Sequence, residues 1–314
     1  MAIAASEARS NRPAAEPMFT GLSAFPLTPL RDDALDEAAY ARLLERLTAA
    51  GVDSITALGS TGSYMYLDRD ERRRVARAAV EHADSVPVIV GIGALRTSQV
   101  RRFADDAQEA GANAVLLAPV TYQALSDDEV FCLFEDVTAG LSVPLVVYDN
   151  PGTTHVTFTD DLYARIANLP QVASIKIPGV PADPDEAAAR VQTIRDRIPA
   201  TVTVGISGDR AAATGLNAGC DAWYSAIAGT LPAPALTITR AARSGDHDAA
   251  VAESNRLQPL WSMFAEHGSY RVTAAIAEHL GLVARDCLPR PVQGLVPAAR
   301  AQIVKLVDEL HLAD

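Results

Sequence analysis

Eight short apolar runs, each separated from the next by a helical pattern, constrain this chain more than any other feature. TGLSAF from Thr20, DSITAL from Asp53, PVIVGI from Pro87, NAVLLA from Asn113, VPLVVYD from Val143, VASIKI from Val172, TVTVGI from Thr201 and DAWYSA from Asp221 have the length and β-branched content of buried strands. The intervening segments carry helix signals. Tyr40, Leu43, Leu44 and Leu47 fall on one face, with Gly51 as a stop. Asp68 with Glu71, and Ser126 with Glu129, have capping-box spacing, and Gly111 and Gly140 close their helices. Strands joined through helices pair in parallel, so eight βα units predict a (β/α)8 TIM barrel of the α/β class. The competing open, doubly wound sheet asks for a dinucleotide fingerprint. Here Gly91-Ile92-Gly93 supplies two glycines, but Arg96 occupies the third position, and GxxxxGK[ST] is missing.

After Ala228 the alternation stops, and residues from about 232 to 314 carry helical patterns only, such as Leu257, Leu260, Trp261 and Phe264, then Ile276, Leu280 and Val283. The expected organisation is a tail over 1–18, a barrel over 19–245 and a C-terminal helical extension over 246–314 packed on it. A net charge of −12 argues against nucleic acid or an anionic membrane as partner, since both need clustered Lys and Arg. Cys132, Cys220 and Cys287 are widely spaced and the six histidines lack HxxxH spacing, so neither a disulfide framework nor a metal site is expected. The expected setting is the cytoplasm.

Lys176 stands out. Of 27 basic side chains it and Lys305 are the only lysines, and it sits inside the apolar run VASIKI, where a charged amine is costly unless paired. Arginine cannot lose its proton in a protein; a desolvated lysine can, and its neutral amine attacks carbonyls to form a Schiff base. Barrel active sites lie at the C-terminal ends of the strands. Lys176 is near the end of strand six, Tyr148-Asp149-Asn150-Pro151-Gly152 ends strand five, and Gly59-Ser60-Thr61-Gly62 ends strand two. The last, at the start of a helix, offers N–H groups, two hydroxyls and a favourable dipole to a keto-acid carboxylate. Tyr148 offers a weak acid for proton transfer. His155 is a weaker candidate for substrate contact, and Asp209 is expected to cap a helix.

With Ser174-Ile175-Lys176 on strand six and Ser207-Gly208-Asp209 on strand seven, these motifs resemble the dihydrodipicolinate synthase and N-acetylneuraminate lyase family over about residues 18 to 300. The resemblance implies a Schiff-base aldolase or related lyase on a (β/α)8 barrel, with no cofactor beyond the covalent imine on Lys176. It implies catalytic roles for Lys176, Tyr148 and Thr61. It implies substrate binding by Gly59, Ser60, Thr61, Tyr122, Thr153, Gly208 and Tyr224, and a homotetramer built as a dimer of dimers. Three positions depart from the family. Thr153 replaces an arginine that clamps the carboxylate of aspartate semialdehyde, Ser63 replaces a glutamate, and Thr121 leaves Tyr122 as one tyrosine where the family has a pair. The expected activity is therefore a lyase, aldolase or dehydratase acting on pyruvate or a 2-keto-3-deoxy acid, in a catabolic role. The alternatives are 4-hydroxy-tetrahydrodipicolinate synthase and a non-catalytic keto-acid-binding paralogue.

Overall fold

In the computed structural model, which describes residues 17–312, the eight apolar runs contain the eight strands of a closed parallel barrel. They are β1 (Gly21–Ala24), β2 (Ser54–Ala57), β3 (Val88–Gly91), β4 (Ala114–Leu117), β5 (Leu145–Tyr148), β6 (Val172–Ile177), β7 (Thr203–Ile206) and β8 (Ala222–Ser225). Each pairs with its neighbours in sequence, and β1 closes on β8. Both faces of every strand are covered, which is why the runs read as continuously apolar rather than alternating. Of the tail expected over 1–18, residues 1–16 lie outside the described residues, whereas Met18 already packs into the barrel interior beside Phe19.

The outer ring follows the capping chemistry. Helices α1 (Glu37–Ala50), α2 (Arg69–His82), α3 (Thr97–Glu109) and α4 (Asp127–Thr138) are followed by α5 (Asp160–Ala167), α6 (Pro184–Arg195), α7 (Ala212–Asn217) and α8 (Pro232–Ser244). Both expected capping boxes form, at Asp68/Glu71 and Ser126/Glu129. The apolar stripe Tyr40, Leu43, Leu44 and Leu47 is buried, and Gly51 ends α1 in the left-handed conformation. Gly111 does the same after α3, but Gly140 is not left-handed. An unforeseen hairpin, Leu30–Arg31 with Ala34–Leu35, turns through Asp32 and Asp33, both at positive φ, as a two-residue type I′ turn requires.

Four further helices follow: α9 (His247–Arg256), α10 (Gln258–His267), α11 (Ser269–His279) and α12 (Pro297–Glu309). Gly268, at φ 79°, makes the corner between α10 and α11, and that corner lies over the mouth of the barrel. Among the described residues, no helix is long and apolar enough to cross a membrane.

Candidate active site

Strand register builds the site. Tyr148 at the end of β5 lies opposite Lys176 on β6, and Lys176 lies opposite Gly205 on β7. A side-chain period of two puts Ser174 on the same face as Lys176, and the Ser174 hydroxyl is 2.7 Å from that of Tyr224 on β8. Gly205 makes this possible, because a Cβ there would lie 2.3 Å from the Tyr224 ring. Likewise a Cβ on Gly59 would lie 2.4 Å from the ring of Phe25. Two glycines thus admit two aromatic rings to the interior.

Phe25, one of those rings, and Tyr148 flank the amine. Lys176 is 4% exposed, and its Nζ sits 3.7 Å from the centroid of Tyr148 and 4.1 Å from that of Phe25. Burial pushes its pKa below the ordinary lysine value, while the Tyr148 hydroxyl and the Asp209 carboxylate pull the other way. The Tyr148 hydroxyl accepts a 2.8 Å hydrogen bond from Asn150 Nδ2 and lies 3.4 Å from Ser60 Oγ. With its oxygen engaged by an amide donor, the phenol keeps its own hydrogen available to the amine or to a bound substrate.

Above the amine opens a cavity of about 1030 Å³. Ser60, Thr61, Tyr148, Thr153, Lys176, Gly208 and Tyr224 all line it, seven of the residues singled out from the sequence. Gly59 does not; it lies behind Phe25 and acts by admitting that ring. Tyr122, expected among the substrate-binding residues, is 88% exposed and outside the lining, because Thr121 donates to the Thr154 carbonyl and leaves the next side chain in solvent. His155 is also exposed and away from the cavity, and no His/Cys/Asp/Glu cluster able to hold a metal occurs among the described residues.

Two local expectations change. Gly59-Ser60-Thr61-Gly62 does not open a helix directly: Ser63 is left-handed (φ 60°), one 3-10 turn follows at Tyr64–Tyr66, and α2 begins only at Arg69. The helix dipole is therefore too remote to act on an anion here. The loop instead leaves the N–H groups of Thr61 and Gly62 without acceptors among the described residues. The turn carries strain, since Leu58 (φ 56°) and Ser63 both adopt a conformation costing roughly 1–2 kcal/mol per residue. Asp209, expected as a cap, makes no cap. Its carboxylate accepts from Trp223 Nε1 (3.0 Å), Ser225 Oγ (2.9 Å) and the Ile227 N–H (3.1 Å), tying the end of β7 to that of β8.

Side chains without a local sequence signal complete the walls. Trp261 and Phe264 of α10 and Tyr270 of α11 line the cavity from the C-terminal helices. The Tyr270 hydroxyl meets Ser63 Oγ at 2.5 Å, 207 residues away in sequence. Their spacing reads as ordinary helical core, and only the corner at Gly268 turns them toward the barrel. Gly91 and Gly93, the partial fingerprint, are explained by packing: a Cβ on Gly91 would lie 1.9 Å from the Leu58 carbonyl oxygen, and one on Gly93 would lie 3.0 Å from that of Ala118.

Asp149, beside Tyr148, faces away from the cavity and accepts a short hydrogen bond from Tyr163 of α5, while its Oδ1 has no partner among the described residues. Burial raises its pKa from 3.8 to about 6, against the pull of Tyr163 and Arg190. A carboxyl whose pKa is higher folded than unfolded costs stability above its folded pKa, and that cost disappears as pH falls from about 6 toward 4. Asp149→Asn is expected to raise the unfolding free energy by roughly 1–2 kcal/mol at pH 8 and to change it little at pH 4. Denaturant titrations at the two pH values check this; an equal effect at both would contradict the assignment.

The comparisons agree with the geometry. The dihydrodipicolinate synthetase family model matches residues 18–310. A 4-hydroxy-tetrahydrodipicolinate synthase of Phenylobacterium zucineum is 30% identical over 299 residues, covering 95% of this chain and 99% of the relative. That of Parvibaculum lavamentivorans is 32% identical over 303 residues, covering 94% and 99%. Among solved structures, a dihydrodipicolinate synthase from Agrobacterium tumefaciens superposes with a TM-score of 0.89 at 42% identity, covering 93% of this chain and 98% of that one. In sequence and fold, the chain belongs to the dihydrodipicolinate synthetase family.

Proposed function

We propose that the protein is a lyase working through a Schiff base between Lys176 and the C2 carbonyl of pyruvate or a longer 2-keto acid. The observation that carries this reading is the buried amine of Lys176, desolvated and 3.7 Å from the ring of Tyr148. The neutral amine adds to C2, and the carbinolamine loses its oxygen as water after taking a proton from Tyr148. The resulting iminium is the electron sink that lets a C3 proton leave, giving an enamine that attacks an aldehyde carbonyl. Hydrolysis of the imine returns the lysine. Ser60, Thr61 and the N–H groups of Thr61 and Gly62 would hold the substrate's C1 carboxylate. The covalent imine supplies the activation, so the scheme calls for no further cofactor.

The names of the relatives favour one version of this chemistry, the condensation of pyruvate with aspartate semialdehyde by a 4-hydroxy-tetrahydrodipicolinate synthase. A second version has one observation behind it. The wall formed by the end of β5 presents the uncharged Thr153 to the cavity, which suits aldol cleavage or dehydration of a hydroxylated 2-keto acid in a catabolic role. We further infer a cytoplasmic homotetramer, the exposed Tyr122 being suited to an intersubunit contact; solution mass by light scattering checks the assembly.

The experiment is borohydride reduction with pyruvate, followed by intact and peptide mass spectrometry. A pyruvyl adduct on the peptide bearing Lys176 is expected. A blank result with pyruvate and with longer 2-keto acids would withdraw the Schiff-base reading.

A further inference from the structure

The chemistry proposed for Lys176 asks opposite things of one site. The resting amine has to be neutral to add to C2, whereas the iminium that then serves as electron sink is a cation. Forming that iminium consumes the neutral amine, the C2 carbonyl and one proton, and releases one water. Burial alone serves the first need and opposes the second.

A carboxylate in contact would hold the resting amine charged. Lys305, the other lysine, has such a partner in Glu309 at 3.5 Å. Lys176 forms no ion pair among the described residues, and the Asp209 carboxylate that pulls on it is engaged by Trp223, Ser225 and Ile227. The amine has ring faces instead. Its Nζ lies over Tyr148 at 3.7 Å and over Phe25 at 4.1 Å from the centroid, inside the roughly 6 Å across which a ring face attracts a cation. Tyr148 brings a hydroxyl as well; Phe25 brings only its face.

The Phe25 ring is fixed in place. It is 2% exposed, directly follows β1, and its N–H donates to the Ser225 carbonyl at 3.0 Å. Tyr224 meets it edge to face, with centroids 6.2 Å apart and planes at 86°. Gly59 leaves the room that the ring occupies, and a Cβ on Gly229 would lie 2.0 Å from the Phe25 carbonyl oxygen. Two glycines and an edge-on tyrosine thus hold one phenylalanine at the reacting nitrogen, whereas apolar filling asks for no such orientation.

From this placement we infer that Phe25 is a catalytic residue, its ring face stabilising the iminium formed on Lys176. The inference rests on the Schiff-base reading above. An ammonium is compact, carries three N–H groups and is strongly hydrated, so it loses much on burial. The iminium carries one N–H, spreads its charge onto C2 and has less hydration to lose. The same dry aromatic surroundings therefore disfavour the ammonium and accept the iminium.

The test replaces Phe25 with 4-fluoro-, 3,5-difluoro- and 3,4,5-trifluorophenylalanine, which drain electron density from the ring face stepwise at nearly constant shape. Tyr148 and Asp209, the titratable groups that act on the amine, stay unchanged. Borohydride trapping is measured against pyruvate concentration and against pH. Above the pH midpoint of trapping, the half-saturating pyruvate concentration is expected to rise with each fluorine, to about tenfold for the trifluoro ring. The midpoint itself should move to lower pH, because the ammonium loses the same face. Loosened packing has the opposite sign: water reaching the amine moves the midpoint up, toward that of a free lysine. Phe25→Leu removes the face but keeps an apolar contact, and should weaken pyruvate as well. A half-saturating concentration indifferent to fluorine, one that rises while the midpoint moves up, or no weakening in Phe25→Leu would overturn the inference while leaving pyruvate trapping intact. Failure of the unaltered protein to trap pyruvate or any longer 2-oxo acid would remove the Schiff-base reading and this inference with it.

Discussion

Lys176→Met is expected to abolish the borohydride-trapped adduct, lower turnover by on the order of 10³-fold or more, and raise the midpoint of thermal unfolding. The first two effects follow from losing the one amine that lines the cavity among the described residues. The third follows from linkage. Burial lowers the lysine pKa in the folded protein below its value of 10.5 in an open chain. A base whose folded pKa is depressed costs stability at every pH below its unfolded pKa, and the cost fades as pH rises toward 10.5. Methionine has a similar volume and no charge to desolvate, so the variant is expected to unfold at higher temperature at pH 7, with the gain shrinking toward pH 10. Scanning calorimetry across that range, beside the trapping assay, checks both halves. A variant that is inactive and also less stable at pH 7 would mean that Lys176 is held charged in the folded protein, contrary to the mechanism. The same depressed pKa predicts that trapping by the unaltered protein rises with pH through a midpoint below that of a free lysine amine.

The barrel was legible because parallel strands buried on both faces leave a signature that survives without tertiary context: eight apolar runs, each flanked by caps and stops. The central chemistry was legible for a related reason. Barrel topology brings strand ends to one rim, so Lys176, Tyr148 and Ser60–Thr61, far apart in sequence, had to approach one another. What was not legible depends on contacts that no local pattern carries. Tyr270 and Trp261 sit at ordinary helical spacing, and nothing near them records the corner that turns them over the barrel. Phe25 is one more apolar residue in the first run; its role depends on Gly59 having no side chain. The loop after β2 was misread because GSTG commonly opens a helix, whereas the left-handed Ser63 interrupts this one and is tied instead to Tyr270. Asp209 was misread for the opposite reason. A short-range capping role is the obvious one for an acid after Ser-Gly, but strand order places Trp223 and Ser225 within reach, and three hydrogen bonds outweigh one cap.

Tyr148→Phe separates proton transfer from packing more cleanly than any other single change in this site. The ring that lies 3.7 Å from Lys176 Nζ remains, so the desolvation that depresses the lysine pKa is retained. Only the hydroxyl is removed, and with it the acceptor of the 2.8 Å bond from Asn150. Loss of a positioned general acid typically lowers rate by about 10²–10⁴-fold, and that range is expected for conversion of the carbinolamine to the imine. The amount of adduct trapped after long incubation should approach that of the unaltered protein, because the amine and the carboxylate loop are untouched, while the rate of its appearance falls. Asn150→Ala is the companion variant. It leaves the phenol in place but frees it from its donor, so it should slow trapping less than Tyr148→Phe does. Measuring the time course of the pyruvyl adduct in all three proteins decides the matter. If Tyr148→Phe traps pyruvate as fast as the unaltered protein, the hydroxyl serves only to orient Ser60 and Asn150, and the proton must reach the leaving water from another group lining the cavity, with Thr61 the first to test.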